Sequence, residues 1–385
     1  MHYFVKAKKI FLENRIATDA YLEINEGKFG NVYQKVPSEA VVIDVGDNWV
    51  GPGLVDTHIH GFHNFDVMDN SFDSLEAISK GLLGCGVTSF LPTTLTSSFD
   101  LLNAVAKTIS EHHNKVSGAK IQGIFFEGPY FTEKHKGAQN PSYFKDPSMA
   151  EFRKWQTSAN GMIKKIALAP ERPGAAEFTQ ELVAEDVTVS LAHSEATYQE
   201  AQQVVDAGAS IFVHTFNGMS GLSHRDPGMV GCAMNNSSVY NELICDGHHV
   251  HPVAVNILTK LKTPEKIALI TDCMRAGGMP DGHYKLGEFP VEVKDGAARL
   301  ESNGSLAGSV LTLIDGVKNV SEWEVATVAD ALNMASIVPA KSVGIDTLCG
   351  SISSGKAADF IIITPDIELL ETYLDGNLVF SQKGN

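Results

Sequence analysis

Between residues 53 and 272 the chain repeats one alternation eight times: a short apolar run, then a longer stretch with helical spacing. The runs are Gly53–His60, Val87–Pro92, Ile121–Glu127, Ile163–Ala169, Val187–His193, Ser210–His214, Tyr240–Asp246 and Lys266–Asp272. Near-continuous apolar strands are buried on both faces, which marks a parallel sheet, and parallel neighbours need a crossover that is usually a helix. Ser74–Leu83, Asp100–His113, Glu177–Ala184 and Thr197–Ala207 have the spacing to supply it. Eight such units predict an α/β chain, a (β/α)8 TIM-like barrel, for which ~250 residues suffice. The full 385 residues leave room for a smaller companion.

That companion is expected from the two ends. Tyr3–Val5, Ala20–Ile24 and Val41–Val45 read as short strands separated by Asn25-Glu26-Gly27 and Gly30-Asn31. The C-terminal stretch repeats the style with Asp359–Ile363, Leu369–Leu374 and Leu378–Phe380, and Asp375-Gly376 is a type I′ turn signal. We therefore expect a small β-sandwich domain built from residues 1–52 plus 348–385, and a barrel over residues 53–347.

In a barrel of this kind the chemistry lies at the C-terminal ends of the strands. The first run ends in His58 and His60, which share one face because strand side chains alternate. A lone His-x-His pair is compatible with half a metal site and equally with two core or solvated histidines. The other strand ends decide between them: Glu127, His193, His214 and Asp272. Each alone has an ordinary reading, a turn cap for Glu127, a satisfied core imidazole for His193 or His214, a helix N-cap for Asp272. Together, four histidines and two acids at equivalent ends satisfy one another only by converging, with a cation supplying the missing positive charge. A second group follows: Asn217 and Gly218, Arg225-Asp226-Pro227-Gly228, and Asp246-Gly247-His248-His249. Arg225 carries a fork suited to phosphate or carboxylate, with His249 on the next loop, although an exposed pair with Asp226 is the alternative.

Charge and cysteine content narrow the partners. The formal net charge of −16 argues against nucleic acid and against an anionic membrane surface, and no apolar run is long enough to span a bilayer. An anionic small substrate then needs a local patch of positive charge. Five scattered cysteines without a Cys-x-x-Cys suggest reduced thiols, and the N-terminus lacks a signal-peptide pattern, so a cytoplasmic protein is expected.

The motifs together resemble the amidohydrolase superfamily and, within it, the N-acetylglucosamine-6-phosphate deacetylase family. They are Gly53–Gly61, Glu127-Gly128-Pro129, Ala192-His193-Ser194, His214–Met219, Arg225–Gly228, Asp246–His249, Thr271-Asp272, Ser305–Ser309 and Gly355–Phe360. The resemblance implies hydrolysis of the acetamide of N-acetylglucosamine 6-phosphate to glucosamine 6-phosphate and acetate. It also implies one divalent metal on Glu127, His193 and His214, and room for a second at His58 and His60. Asp272 would take the attacking water's proton and return it to the leaving nitrogen. Substrate contacts would come from Ala138, Gln139, Asn217, Gly218, Arg225, His249, Leu306, Ala307 and Gly308. Arg225 would reach the phosphate across a dimer interface, in a homodimer or a dimer of dimers. One position departs from the pattern: Gln139 stands where the family is expected to carry His.

Imidazole and carboxylate ligands without thiolate suit Zn, Fe, Mn, Co and Ni alike. A serine hydrolase is disfavoured because no Gly-x-Ser-x-Gly elbow occurs. The rival readings are a relative acting on another N-acyl amino-sugar phosphate such as N-acetylgalactosamine 6-phosphate, a hydrolase of cyclic amides or purines, and a catalytically silent binding protein. Against the cyclic-amide class, the run after Ile121 ends in Glu127 and holds no lysine to bridge two metals.

Overall fold

The computed structural model describes residues 1–383; Gly384 and Asn385, the end of the expected terminal segment, lie outside the described residues. The barrel strands are β1 (Leu54–Ile59), β2 (Val87–Thr94), β3 (Ile124–Tyr130), β4 (Ile163–Leu168), β5 (Thr188–Leu191), β6 (Ile211–Phe212), β7 (Tyr240–Leu243) and β8 (Ile267–Leu269). Each pairs in parallel with the next. Every residue of β1, β2 and β3 is buried, which explains runs that do not alternate with polar residues. The expected third strand is interrupted: Lys120–Ile121 pairs with β2, and the chain steps over Gln122 and Gly123 before β3 begins.

Eight helices alternate with the strands: α1 (Phe72–Leu83), α2 (Phe99–His112), α3 (Met149–Ser158), α4 (Ala175–Ala184), α5 (Tyr198–Asp206), α6 (Gly228–Asn235), α7 (Pro252–Lys262) and α8 (Leu313–Glu322). Their starts are set by local chemistry. Ser71, Ser98 and Thr312 accept from backbone N–H groups of the first turns of α1, α2 and α8, and Thr197 and Glu200 form a capping box on α5. Leu75, Ile78 and Leu82 put one face of α1 into the shared core, each worth about 1.5–3 kcal/mol of burial.

The barrel closes between β8 and β1 through single rungs. Asp272 N–H donates to His58 O at 2.9 Å, and His60 N–H donates to Cys273 O at 2.9 Å. This seam joins the two ends of the repeat that carry His58, His60 and Asp272.

After β8 the chain inserts an antiparallel sheet that the sequence reading did not foresee: β9 (Gly282–Leu286), β10 (Phe289–Lys294) and β11 (Ala297–Leu300). Its signals are present. Val291 and Val293 are buried while Pro290, Glu292 and Lys294 are exposed, and Asp295-Gly296 turns the chain with positive φ at both residues.

The two ends form one mixed sheet, in the order Asn377–Ser381, Leu369–Leu374, Phe360–Ile363, Trp49–Pro52, His2–Leu12, Arg15–Asn25, Lys28–Tyr33, with Val42–Asp44 beside His2–Leu12. The sheet curls on itself: a bridge joins Lys28 to Ala357, and the Phe29 and Phe360 rings lie 6.2 Å apart. Strand alternation then assigns two duties. Phe360 and Ile362 pack inside the curl with Val5, Leu22 and Val50, whereas Ile361 and Ile363 face the barrel core. Lys120 ties the two bodies further through Asp359 at 2.9 Å.

Candidate active site

The six residues singled out at the strand ends converge: His60, Glu127, His193, His214 and Asp272 line a cavity of about 470 Å³, and His58 is fully buried against them. Glu127 sits at the centre of the six. One carboxylate oxygen, Oε1, lies 3.3 Å from His193 Nε2, 3.2 Å from His214 Nε2 and 3.5 Å from His58 Nε2. The other, Oε2, lies 3.2 Å from His60 Nε2. Asp272 Oδ1 completes the second half at 3.3 Å from His58 Nε2 and 3.1 Å from His60 Nε2. The local backbone is unusual here: His193, His214 and Asp272 have φ of 44°, 32° and 49°. Non-glycine residues rarely adopt such values, at about 1–3 kcal/mol each, and such strain clusters where function fixes it.

The imidazoles are held in one sense. Nδ1 of His60, His193 and His214 faces the backbone oxygens of Thr93, His135 and Asn217 at 3.2, 2.9 and 3.1 Å, which turns each Nε2 inward. As a result His58 Nε2 faces His60 Nε2 at 3.3 Å, and His193 Nε2 faces His214 Nε2 at 3.2 Å. Opposed lone pairs at these distances fit a shared cation, and two carboxylates beside them fit a divalent one. Glu127, His193 and His214 form one candidate metal group, and His58, His60 and Asp272 form another.

Without a cation these residues answer one another's charge. Burial pulls the His58 and His60 imidazoles down, but the Asp272 and Glu127 carboxylates outweigh it and lift them to about 9 and about 10. Burial pushes Glu127 and Asp272 up, and the surrounding imidazoles reverse this, holding both carboxyls well below the usual carboxylate range. His214 is depressed, chiefly by burial.

The same cavity is lined by Ala138, Gln139, Asn217, Gly218, His249, Leu306, Ala307 and Gly308. His249 Nδ1 is held by Asp246 at 2.7 Å. Arg225 is not among the lining residues; it is exposed on the loop before α6, and the expected pairing with His249 in one anion site does not form within one chain. The cavity instead carries Lys134, His135 and Arg299, which the sequence reading passed over. Arg299 lies on β11, so recognising the inserted sheet is the signal that finds it. Two charges inside apolar runs, Lys165 of β4 and Glu242 of β7, were also passed over and are fully buried.

The amidohydrolase family model matches residues 49–379. The chain is 39% identical to the N-acetylglucosamine-6-phosphate deacetylase of Vibrio furnissii, over 97% of this chain and 94% of that protein. It is 36% identical to the N-acetylgalactosamine-6-phosphate deacetylase of Escherichia coli O157:H7, over 98% and 99%. Its fold superposes with a TM-score of 0.93 on the Mycobacterium smegmatis N-acetyl-D-glucosamine-6-phosphate deacetylase solved in complex with N-acetyl-D-glucosamine-6-phosphate, at 27% identity and covering 99% and 100% of the two chains. With a single family model spanning the whole barrel and the C-terminal strands of the terminal sheet, the chain belongs to the amidohydrolase family, in its group of N-acetylglucosamine-6-phosphate deacetylases.

Proposed function

We propose that the protein hydrolyses the acetamide of N-acetyl-D-glucosamine 6-phosphate to D-glucosamine 6-phosphate and acetate. The observation that carries this reading is the convergence of Glu127, His193, His214, His58, His60 and Asp272 at the edge of a cavity large enough for one sugar. One or two divalent ions held by Glu127, His193 and His214, and by His58 and His60, would acidify water and polarise the amide carbonyl.

The chain's own residues do the rest. Asp272, an acid at the cavity wall 3.3 Å from His58 and 3.1 Å from His60, takes the water's proton and passes it to the departing nitrogen. His249, fixed by Asp246, orients the sugar. Asn217, Gly218, Ala138, Gln139 and the Leu306–Gly308 segment border the sugar from separate loops.

The phosphate contact is assigned to Arg225 from a second copy of the chain. Two features support a homodimer: Arg225 is exposed outside its own cavity, and α7, packed on α6 just past that loop, exposes Val253, Ile257 and Leu261 as one stripe. A cytoplasmic location accords with five unpaired, buried cysteines. The chain is read as a β domain of residues 1–52 plus 348–385 and a catalytic barrel of residues 53–347.

A second substrate, N-acetylgalactosamine 6-phosphate, is favoured by the relative of that name at 36% identity. Acetate release from both sugar phosphates by metal-loaded protein tests the reading. Turnover of the glucosamine derivative at the higher kcat/KM is expected, and no acetate from either would overturn it.

A further inference from the structure

Beneath the His58–His60 pair lies a charged group that the reaction above does not use. Lys165 of β4 and Glu242 of β7 are both fully inaccessible and form an ion pair in the barrel interior. Lys165 Nζ also sits 3.7 Å above the Phe125 ring, and that ring meets His58 edge-on, with centroids 4.9 Å apart. The second oxygen of Glu242 faces His58 Nδ1 at 3.5 Å, the long end of hydrogen-bond reach.

His58 is thereby set apart. Of the four histidines in the two candidate metal groups, His60, His193 and His214 direct Nδ1 to neutral backbone carbonyls, and His58 directs it to the Glu242 carboxylate. A backbone carbonyl comes with the fold. A buried lysine–glutamate pair does not: each ion loses several kcal/mol of hydration, and apolar replacements of such pairs are often neutral or stabilising. Stability is therefore a poor reason for the pair to be there. What a carboxylate does that a carbonyl does less well is hold the Nδ1–H tautomer, aim the Nε2 lone pair and strengthen the imidazole as a donor.

We propose that Glu242 is a positioning residue for His58, with Lys165 as its buried counter-charge, and that the pair governs how tightly the His58–His60–Asp272 half of the centre holds a divalent ion. The inference rests on the metal reading of the site and adds an asymmetry to it: the two halves differ in what stands behind their ligands.

The test compares the parent chain with His58→Ala and two double variants, Lys165→Met/Glu242→Gln and Lys165→Met/Glu242→Leu. Removing both charges leaves neither stranded, so the metal-free doubles are expected to fold and to melt within a few degrees of the metal-free parent. Zn2+ stoichiometry and affinity are then read by chelator competition and elemental analysis. The Met/Leu double should bind the Zn2+ ion lost in His58→Ala at least tenfold more weakly than the parent, within the ~10–100-fold range for outer-shell partners. The Met/Gln double, which keeps a neutral acceptor for Nδ1–H, should lie between. Parental affinity in both doubles would overturn the proposal and leave the pair a packing feature. A parent chain that binds no Zn2+ would overturn the metal reading and this inference with it, whereas a His58→Ala variant with parental stoichiometry and affinity would overturn this inference and leave a single ion on Glu127, His193 and His214.

Discussion

Gln139 donates its side-chain amide to Glu127 Oε2 across 2.7 Å while its own carbonyl oxygen accepts from Thr96 N–H at 2.9 Å. The Thr96 donor fixes which end of the amide faces which way, because only oxygen can meet it. Gln139 thus steadies the central carboxylate without adding a charge to it. Replacing it with Leu strands a buried backbone N–H, at about 1–3 kcal/mol. Gln139→Leu should lower the thermal midpoint by several degrees and reduce kcat. An unchanged melting curve would show that the clamp contributes nothing.

Glu127 touches all four histidines, so its loss removes the centre rather than one contact. Glu127→Gln or His193→Ala should lose most bound metal and activity together. His58→Ala should be milder if one ion suffices, and should remove about one equivalent if two are bound. Full metal content with full activity in Glu127→Gln sinks the assignment.

Asp272→Asn keeps the shape and removes the proton acceptor. We expect the Glu127–His193–His214 half to stay loaded while kcat falls by roughly 10²–10⁴, the range for a positioned acid–base group. A near-parental kcat across the pH range would mean that the proton travels by another route.

Arg225 is expected to act from the partner chain. A charge-assisted bond to phosphate is worth about 1.5–3 kcal/mol, so Arg225→Ala should lower kcat/KM for the phosphorylated sugar by about one to two powers of ten. Turnover of unphosphorylated N-acetylglucosamine should hardly change, and Arg225→Lys should recover part of the loss because a point charge lacks the planar fork. Equal losses on both sugars would make Arg225 structural and shift attention to His249 and Arg299.

All five cysteines are buried, and burial pushes the Cys85 and Cys349 thiols to about 12 and the Cys232 thiol to about 11. The native protein should therefore be inert to a thiol reagent at about pH 8, and the urea-unfolded chain should react fully. The folded thiols keep protons that the unfolded ones release, so this contribution to stability is present below the unfolded value of 9.0 and falls as pH rises through 11 to 12. Rapid labelling of one cysteine in the native state would place that residue on an opening segment.

What is periodic or terminal was legible in the order of the residues alone. Eight unalternating apolar runs dictate a parallel barrel, because strands covered on both faces have no polar side to show. The two-residue repeat puts His58 and His60 on one face, and the run ends mark Glu127, His193, His214 and Asp272. Such signals are local, since backbone geometry sets them residue by residue. Which ends meet depends on how the barrel packs and closes. Asp272 reaches His58 because the barrel closes by a few rungs between its first and last strands, a register no local pattern encodes. The partners of buried charge were equally out of reach. Lys165 and Glu242 are 77 residues apart, and Gln139 finds Glu127 only when the loop after β3 folds back over it. Desolvation explains the difference: burying an ion or amide demands a partner, but the sequence records only the demand, whereas the packed barrel chooses what meets it.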